Sequence, residues 1–164
     1  MNDILIVADT RQKQDNHITK YFDKNNIVWV RDNLPSADYM AIRYDKEKFI
    51  KDYSVLIDTK KDLVELAHNL CNSSEHARIV REIETAQSLG CKEFYFIIAE
   101  NKISTAEDIK NWKSKYTRVS GATLLKTMAT FSRHHNCKFI IVPKKEIGKK
   151  IVTLLKRTKK YDTI

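Results

Sequence analysis

The chain has 164 residues, 42% apolar and 31% charged, and carries a net charge of +9. That length suits one compact domain with a core of its own, and the composition is in the range of soluble globular proteins. The excess of Lys and Arg favours a polyanionic partner, nucleic acid first and an acidic membrane surface second, and no apolar run approaches the roughly 18 residues that a membrane span needs.

Taken in chain order, Ile4–Ala8 reads as a fully apolar strand that ends at Asp9. The start MNDILIVADT is charged with only a short apolar run, so it is not a signal peptide. A helix is expected over Lys13–Lys24, with Ile18, Tyr21 and Phe22 on one face and Asn25-Asn26 closing it. A second strand is expected at Ile27–Val30, a turn at Asn33–Ser36 around Pro35, and a weaker strand at Ala37–Arg43 with Asp38 near its start. Val55–Asp58 is the next strand. Two helices follow, near Asp62–Leu70 and Glu75–Leu89, divided by the Asn72-Ser73-Ser74 capping signal and stopped at Gly90. Phe94–Ala99 is the most hydrophobic strand and is placed centrally. Helices near Thr105–Lys113 and Gly121–His135, a strand at Lys138–Val142 ended by Pro143, and a helix from Lys144 to Arg157 complete the chain. Apolar strands alternating with helices argue an α/β sheet covered by helices on both faces.

Cys71, Cys91 and Cys137 show no C-x-x-C spacing and are odd in number, so neither a zinc site nor a disulfide framework is indicated; reduced thiols and an intracellular location are expected. The only glycines, Gly90, Gly121 and Gly148, build neither a P-loop nor a G-x-G-x-x-G fingerprint.

The chemistry gathers at Asp58-Thr59-Lys60. Alternate strand residues share a face, so a carboxylate and an amine stand roughly 6.5–7 Å apart along the strand end. Asp9 and Asp38 sit at two other strand ends. Divalent cations such as Mg²⁺ or Mn²⁺ take one or two carboxylates together with waters and a substrate phosphate, and a lysine beside them can neutralise developing charge. The similar triplet Asp108-Ile109-Lys110 lies in an expected helix, where i and i+2 face apart, while Glu100-Asn101-Lys102 follows a strand and competes with Asp58–Lys60. Tyr39, beside Asp38, could stack on a base; Trp29, Trp112, Phe94 and Tyr95 read as core and His134-His135 as structural or surface.

In order and spacing, residues 4–142 resemble the XPF-type structure-specific nucleases of the PD-(D/E)XK-like superfamily, in a style closer to phage or mobile-element members. Val7-Ala8-Asp9-Thr10-Arg11-Gln12 stands where the family has valine–Asp–x–Arg–Glu. Ala37-Asp38-Tyr39 matches its Gly-Asp-Tyr, and Asp58-Thr59-Lys60 its Glu-Arg-Lys. Arg78 and Glu82 match an Arg and Gln on the following helix, and Phe94–Glu100 the next strand. Ala37, Gln12, Asp58 and Thr59 are departures from the pattern, and neither Asp62 nor Glu65 is in register with the family's further aspartate.

The resemblance implies a restriction-endonuclease-like mixed central sheet and Mg- or Mn-dependent cleavage of branched DNA such as flaps, forks or four-way junctions. By position, Asp38 and Asp58 would hold the metal, with Lys60, Asp9 and Glu82 completing the site. Arg11, Arg78, Lys61 and the basic residues Lys144, Lys145 and Lys149 would contact DNA. Residues 1–164 are expected to form one nuclease domain without a helix-hairpin-helix unit, working as a homodimer or with a helper protein. The alternatives are a catalytically silent DNA-binding protein on the same fold and a basic protein-interaction module of a mobile element.

Overall fold

A computed structural model describes residues 4–157. Six strands form one mixed sheet: β1 (Ile4–Asp9), β2 (Trp29–Asp32), β3 (Tyr39–Asp45), β4 (Lys48–Lys60), β5 (Glu93–Ala99) and β6 (Cys137–Val142), in the spatial order β2-β1-β3-β4-β5-β6. β1 runs parallel to β2 and antiparallel to β3, β3 and β4 form an antiparallel hairpin, and β4, β5 and β6 are parallel. The helices are α1 (Asn16–Lys24), α2 (Leu63–Cys71), α3 (Ser73–Ser88), α4 (Ala106–Lys110), α5 (Gly121–His135) and α6 (Ile147–Lys156).

The expectation of helices on both faces holds, and the alternation of strand side chains explains it. Ile6, Tyr39, Ile57 and Ile97 pack with Ile18 and Phe22 of α1 and Ile151 and Leu155 of α6. The intervening residues Val7, Met40, Leu56 and Phe96 point the other way, against Leu66 of α2, Ile83 of α3 and Leu124 of α5.

Several boundaries differ from expectation, each for a local reason. The first helix begins at Asn16 instead of Lys13, because buried Asp15 turns inward to Arg31 (2.7 and 3.0 Å) and to the Tyr39 hydroxyl (2.9 Å). Tyr39 is therefore fully buried and cannot stack on a base. The strand placed at Ile27–Val30 lies at Trp29–Asp32: Asn26 is left-handed and the Ile27 N–H donates back to the Phe22 carbonyl, so residues 26–27 still close the helix. The final helix is preceded by a 3-10 turn at Lys144–Glu146. The largest difference is β4, which starts at Lys48, well before Val55, and pairs along its charged first half with β3 through a two-residue turn.

Candidate active site

Register within that hairpin sets the site. Near the turn, Asp45 lies opposite Lys48 and Ala41 opposite Asp52; continued unchanged, this pairing would put Asp38 across from Val55. An irregularity between Tyr39 and Ala41 shifts the ladder so that Tyr39 faces Ile57, and the Asp38 N–H donates to the Ile57 carbonyl at 2.9 Å. Asp38 and Asp58 thereby become cross-strand neighbours on the face toward α3. Bulges of this kind re-aim side chains next to active sites. On the other side of Asp38, the Asp9 N–H donates to the Asp38 carbonyl at 2.8 Å, so β1, β3 and β4 deliver Asp9, Asp38 and Asp58 side by side.

α3 contributes the fourth carboxylate. Glu82 accepts the Ala37 N–H at 3.0 Å, and the Ser36 hydroxyl donates to the Glu82 carbonyl at 2.8 Å, so the loop carrying Asp38 is clamped to the helix. Ala37 has a φ of 64°, in the left-handed region, where the family pattern has glycine. Together these residues line a cleft of about 480 Å³, walled by Arg11, Arg78 and Arg81 and floored by Asp38, Asp58 and Lys60.

Lys60 is buried and its ammonium folds back to 3.3 Å from Asp58 Oδ1, nearer than the strand spacing alone implies. Burial opposes its charge, but Asp58 and Asp38 outweigh it and hold the lysine pKa above its usual value. Asp38 is raised well above the usual carboxylate range, first by burial and then by the Asp58 charge. Glu82 is raised by the same two causes. One Asp38 oxygen, Oδ2, accepts from the Thr59 N–H (2.8 Å), the Thr59 hydroxyl (3.0 Å) and the Gln12 amide (3.0 Å).

The acidic residues divide by their partners. Asp9 is buried, with Oδ2 on the Arg11 Nε (2.7 Å) and Oδ1 on the Leu34 N–H (3.0 Å). Glu82 shares Arg78 with Glu75, which is closer (2.9 Å against 3.9 Å). Lys61 opens from the strand end and its N–H is capped by Glu65 at 2.8 Å. Lys144, Lys145 and Lys149 are exposed on the 3-10 turn and α6 and do not line this cleft. Lys159 and Lys160, further along the basic stretch that begins at Lys144, lie outside the described residues. The competing Glu100 is instead a cap, accepting the Leu63 N–H at the start of α2 at 3.0 Å, and Asp62 caps the same helix by accepting from Glu65.

Two contributors were not singled out for a role from sequence, Gln12 and Thr59. Both stand at positions departing from the family motif, and that departure was their only signal. Among the described residues, no group of three or more His, Cys, Asp or Glu side chains forms a ready-made metal cage. A Mg²⁺-type site does not require one, because one or two carboxylates suffice when water and phosphate complete the shell. The facing Asp38 and Asp58 carboxylates, with Asp38 pushed up first by burial and then by its neighbour's charge, fit such an ion.

Residues 8–154 match the family model of the ERCC4 domain. The chain belongs to the ERCC4 domain family. The XPF-type resemblance is thus borne out over nearly the whole chain. Among solved structures, XPF from Aeropyrum pernix has the same fold, with a TM-score of 0.67 at 13% identity, over 96% of this chain and 66% of that one. The chain therefore spans just under two thirds of that relative. No curated protein matches the chain in sequence. No described helix is long and apolar enough to cross a membrane.

Proposed function

We propose that the protein is a metal-dependent endonuclease that cuts branched DNA. The observation that carries this reading is the Asp38–Asp58 pair with the Lys60 ammonium folded onto it, set in an arginine-walled cleft of an ERCC4 domain. A bound Mg²⁺ or Mn²⁺ would polarise the scissile phosphate and lower the pKa of a water there. Asp38 and Asp58 are the residues that would hold it. Thr59 and Gln12 fix one Asp38 oxygen by three donors, which orients the carboxylate that would hold the ion.

Lys60, held cationic by its neighbours, acts as a charge and a donor and not as a base. It steadies the negative charge that builds on the phosphoryl oxygens as water attacks in line and the bond to the 3′ oxygen breaks, leaving a 5′-phosphate and a 3′-hydroxyl. Arg11, Arg78 and Arg81 track the flanking phosphates, and exposed Lys61, Lys144, Lys145 and Lys149 add to the salt-dependent attraction.

The test is a panel of labelled flap, fork, four-way-junction and linear DNAs incubated with and without Mg²⁺. Asp58→Asn is expected to lose at least about a hundredfold in cleavage, the scale of a lost electrostatic contact in the transition state, while its gel-shift affinity in metal-free buffer stays within about threefold. Undiminished cutting by Asp58→Asn rejects the site. Junction binding without cutting by the wild type identifies instead a silent DNA-binding protein.

A further inference from the structure

A second cavity, of about 650 Å³, adjoins the first and shares with it a wall of Gln12, Thr59, Lys60 and Glu65. It opens beyond the carboxyl ends of β4 and β5, the edge at which open α/β sheets place ligands. Its size is that of a small-molecule site. The floor is apolar, made by Ile18, Val64, Ala99 and Ile147 from four different elements. At the rim stand Lys61 on one side and Lys144 on the other, with His17 and His68 beside them, while Asp15 and Glu65 also line the cavity.

Asn69 is the residue that the fold does not explain. It lies on α2 in the cavity wall, only 5% exposed, between core residues Leu66 and Leu70, and its Oδ1 has no hydrogen-bond partner. A buried amide left unpaired costs stability, so an apolar side chain would serve the core better at this position. Turning the amide about its last torsion presents either its donor or its acceptor end to the cavity.

We propose that this cavity receives the base of an unpaired nucleotide next to the phosphate held in the cleavage cleft, with the Asn69 amide on the base's polar edge. The assignment rests on the nuclease reading given above. The apolar floor suits a flat ring, which an isolated phosphate would not need, and the lysines at the rim suit the phosphates on either side of that base. His17 is pushed toward its neutral form, chiefly by burial and then by Lys144, which suits an uncharged ring stacked near it. The shared wall makes the two sites consecutive along one strand. Gln12 and Thr59 then meet Asp38 on one side and the nucleotide on the other.

The experiment is an abasic scan. Forked duplexes with one abasic residue at each successive position around the junction are bound to the wild-type protein in metal-free buffer, so that no strand is cut. One position is expected at which losing the base weakens binding about tenfold, the scale of losing one stacked, edge-matched base. A 2-aminopurine at that position should brighten on binding. Asn69→Leu and the cavity-filling Val64→Trp should each flatten the scan and weaken binding of the intact fork to about the level of the wild-type protein on the abasic fork. A flat scan on wild-type protein that binds the intact fork overturns the pocket and leaves the nuclease reading standing. Loss of affinity only with methylphosphonate linkages, and not with abasic residues, also overturns it, since the cavity would then hold phosphate alone. Failure to bind any fork at low salt overturns both readings. The wild-type scan decides even if either variant fails to fold.

Discussion

Asp38 carries two opposed demands, since three donors converge on its Oδ2 while burial and Asp58 push its pKa up. The sign of the consequence follows from proton binding. Between the ordinary aspartate pKa and the raised folded value, the folded protein holds the proton that the unfolded chain has already released. Stability of the metal-free protein therefore falls as pH rises through that window. Glu82 acts in the same direction. Lys60 does not offset this, because the stability from its raised pKa is fully present below the unfolded value and is lost only at alkaline pH. Asp38→Asn is thus expected to raise the melting temperature at neutral pH and to flatten the pH dependence from the ordinary aspartate pKa upward. Thermal melts of both proteins across that range decide the matter; a lower melting temperature for the variant at neutral pH would sink it. In the wild type, added Mg²⁺ should raise the melting temperature by mass action, and in Asp38→Asn it should not.

Ala37 is another residue at which local rules are broken. A left-handed Ala costs about 1–2 kcal/mol. Replacing it with Gly relieves that strain, but it adds roughly 0.5–1 kcal/mol of backbone entropy and exposes the space of one buried methyl, worth about 0.8 kcal/mol. The effects nearly cancel, so Ala37→Gly should be close to neutral in chemical denaturation. A loss above about 2 kcal/mol would show that the methyl, and not the backbone, holds the loop.

At the scale of elements, the β3–β4 hairpin has the most to teach. Its turn places both Lys46 (φ 45°) and Glu47 (φ 67°) in the left-handed region, the geometry of a two-residue type I′ turn, without the Asn-Gly pair that favours it. The pairing is maintained by other means. Tyr44 and Phe49 meet across the strands with ring centroids 5.1 Å apart and a 55° tilt, and Arg43 pairs with Asp52 and donates to the Leu155 carbonyl of α6 at 2.6 Å. Substituting Asn-Gly for Lys46-Glu47 should stabilise the protein by about 1 kcal/mol and raise the melting temperature by roughly 2–4 °C. Helix packing sets a contrasting limit at Gly121, the first residue of α5. A Cβ there would collide with the backbone carbonyls of Ile109, Lys110 and Trp112, so Gly121→Ala should destabilise by about 1–3 kcal/mol or more.

At the scale of the molecule, the net charge of +9 is a statement about association and not about fold. If about five phosphates are contacted, affinity for DNA should drop roughly 10²–10³-fold between 50 and 200 mM salt. Replacing Arg78 and Arg81 together should lower the slope of log affinity against log salt by about two. An unchanged slope would remove the cleft wall from the DNA path.

What the sequence determined by itself was the set of parts. Apolar runs of strand length gave β1, β5 and β6, helical spacing gave the flanking helices, and the ordered motifs around Asp9, Asp38, Asp58 and Lys60 gave the family, because each of these signals is local. β4 was legible only from Val55 onward, since its first half is charged and earns its place by pairing, not by burial. Tyr39 looked available to a base and is instead locked to Asp15, a contact that sequence spacing does not encode. The meeting of Asp38 with Asp58 depended on a shift of register inside the hairpin, and the roles of Gln12 and Thr59 depended on that meeting. Only the tertiary structure decided these, because cross-strand register is a property of two segments paired in space and neither carries it alone.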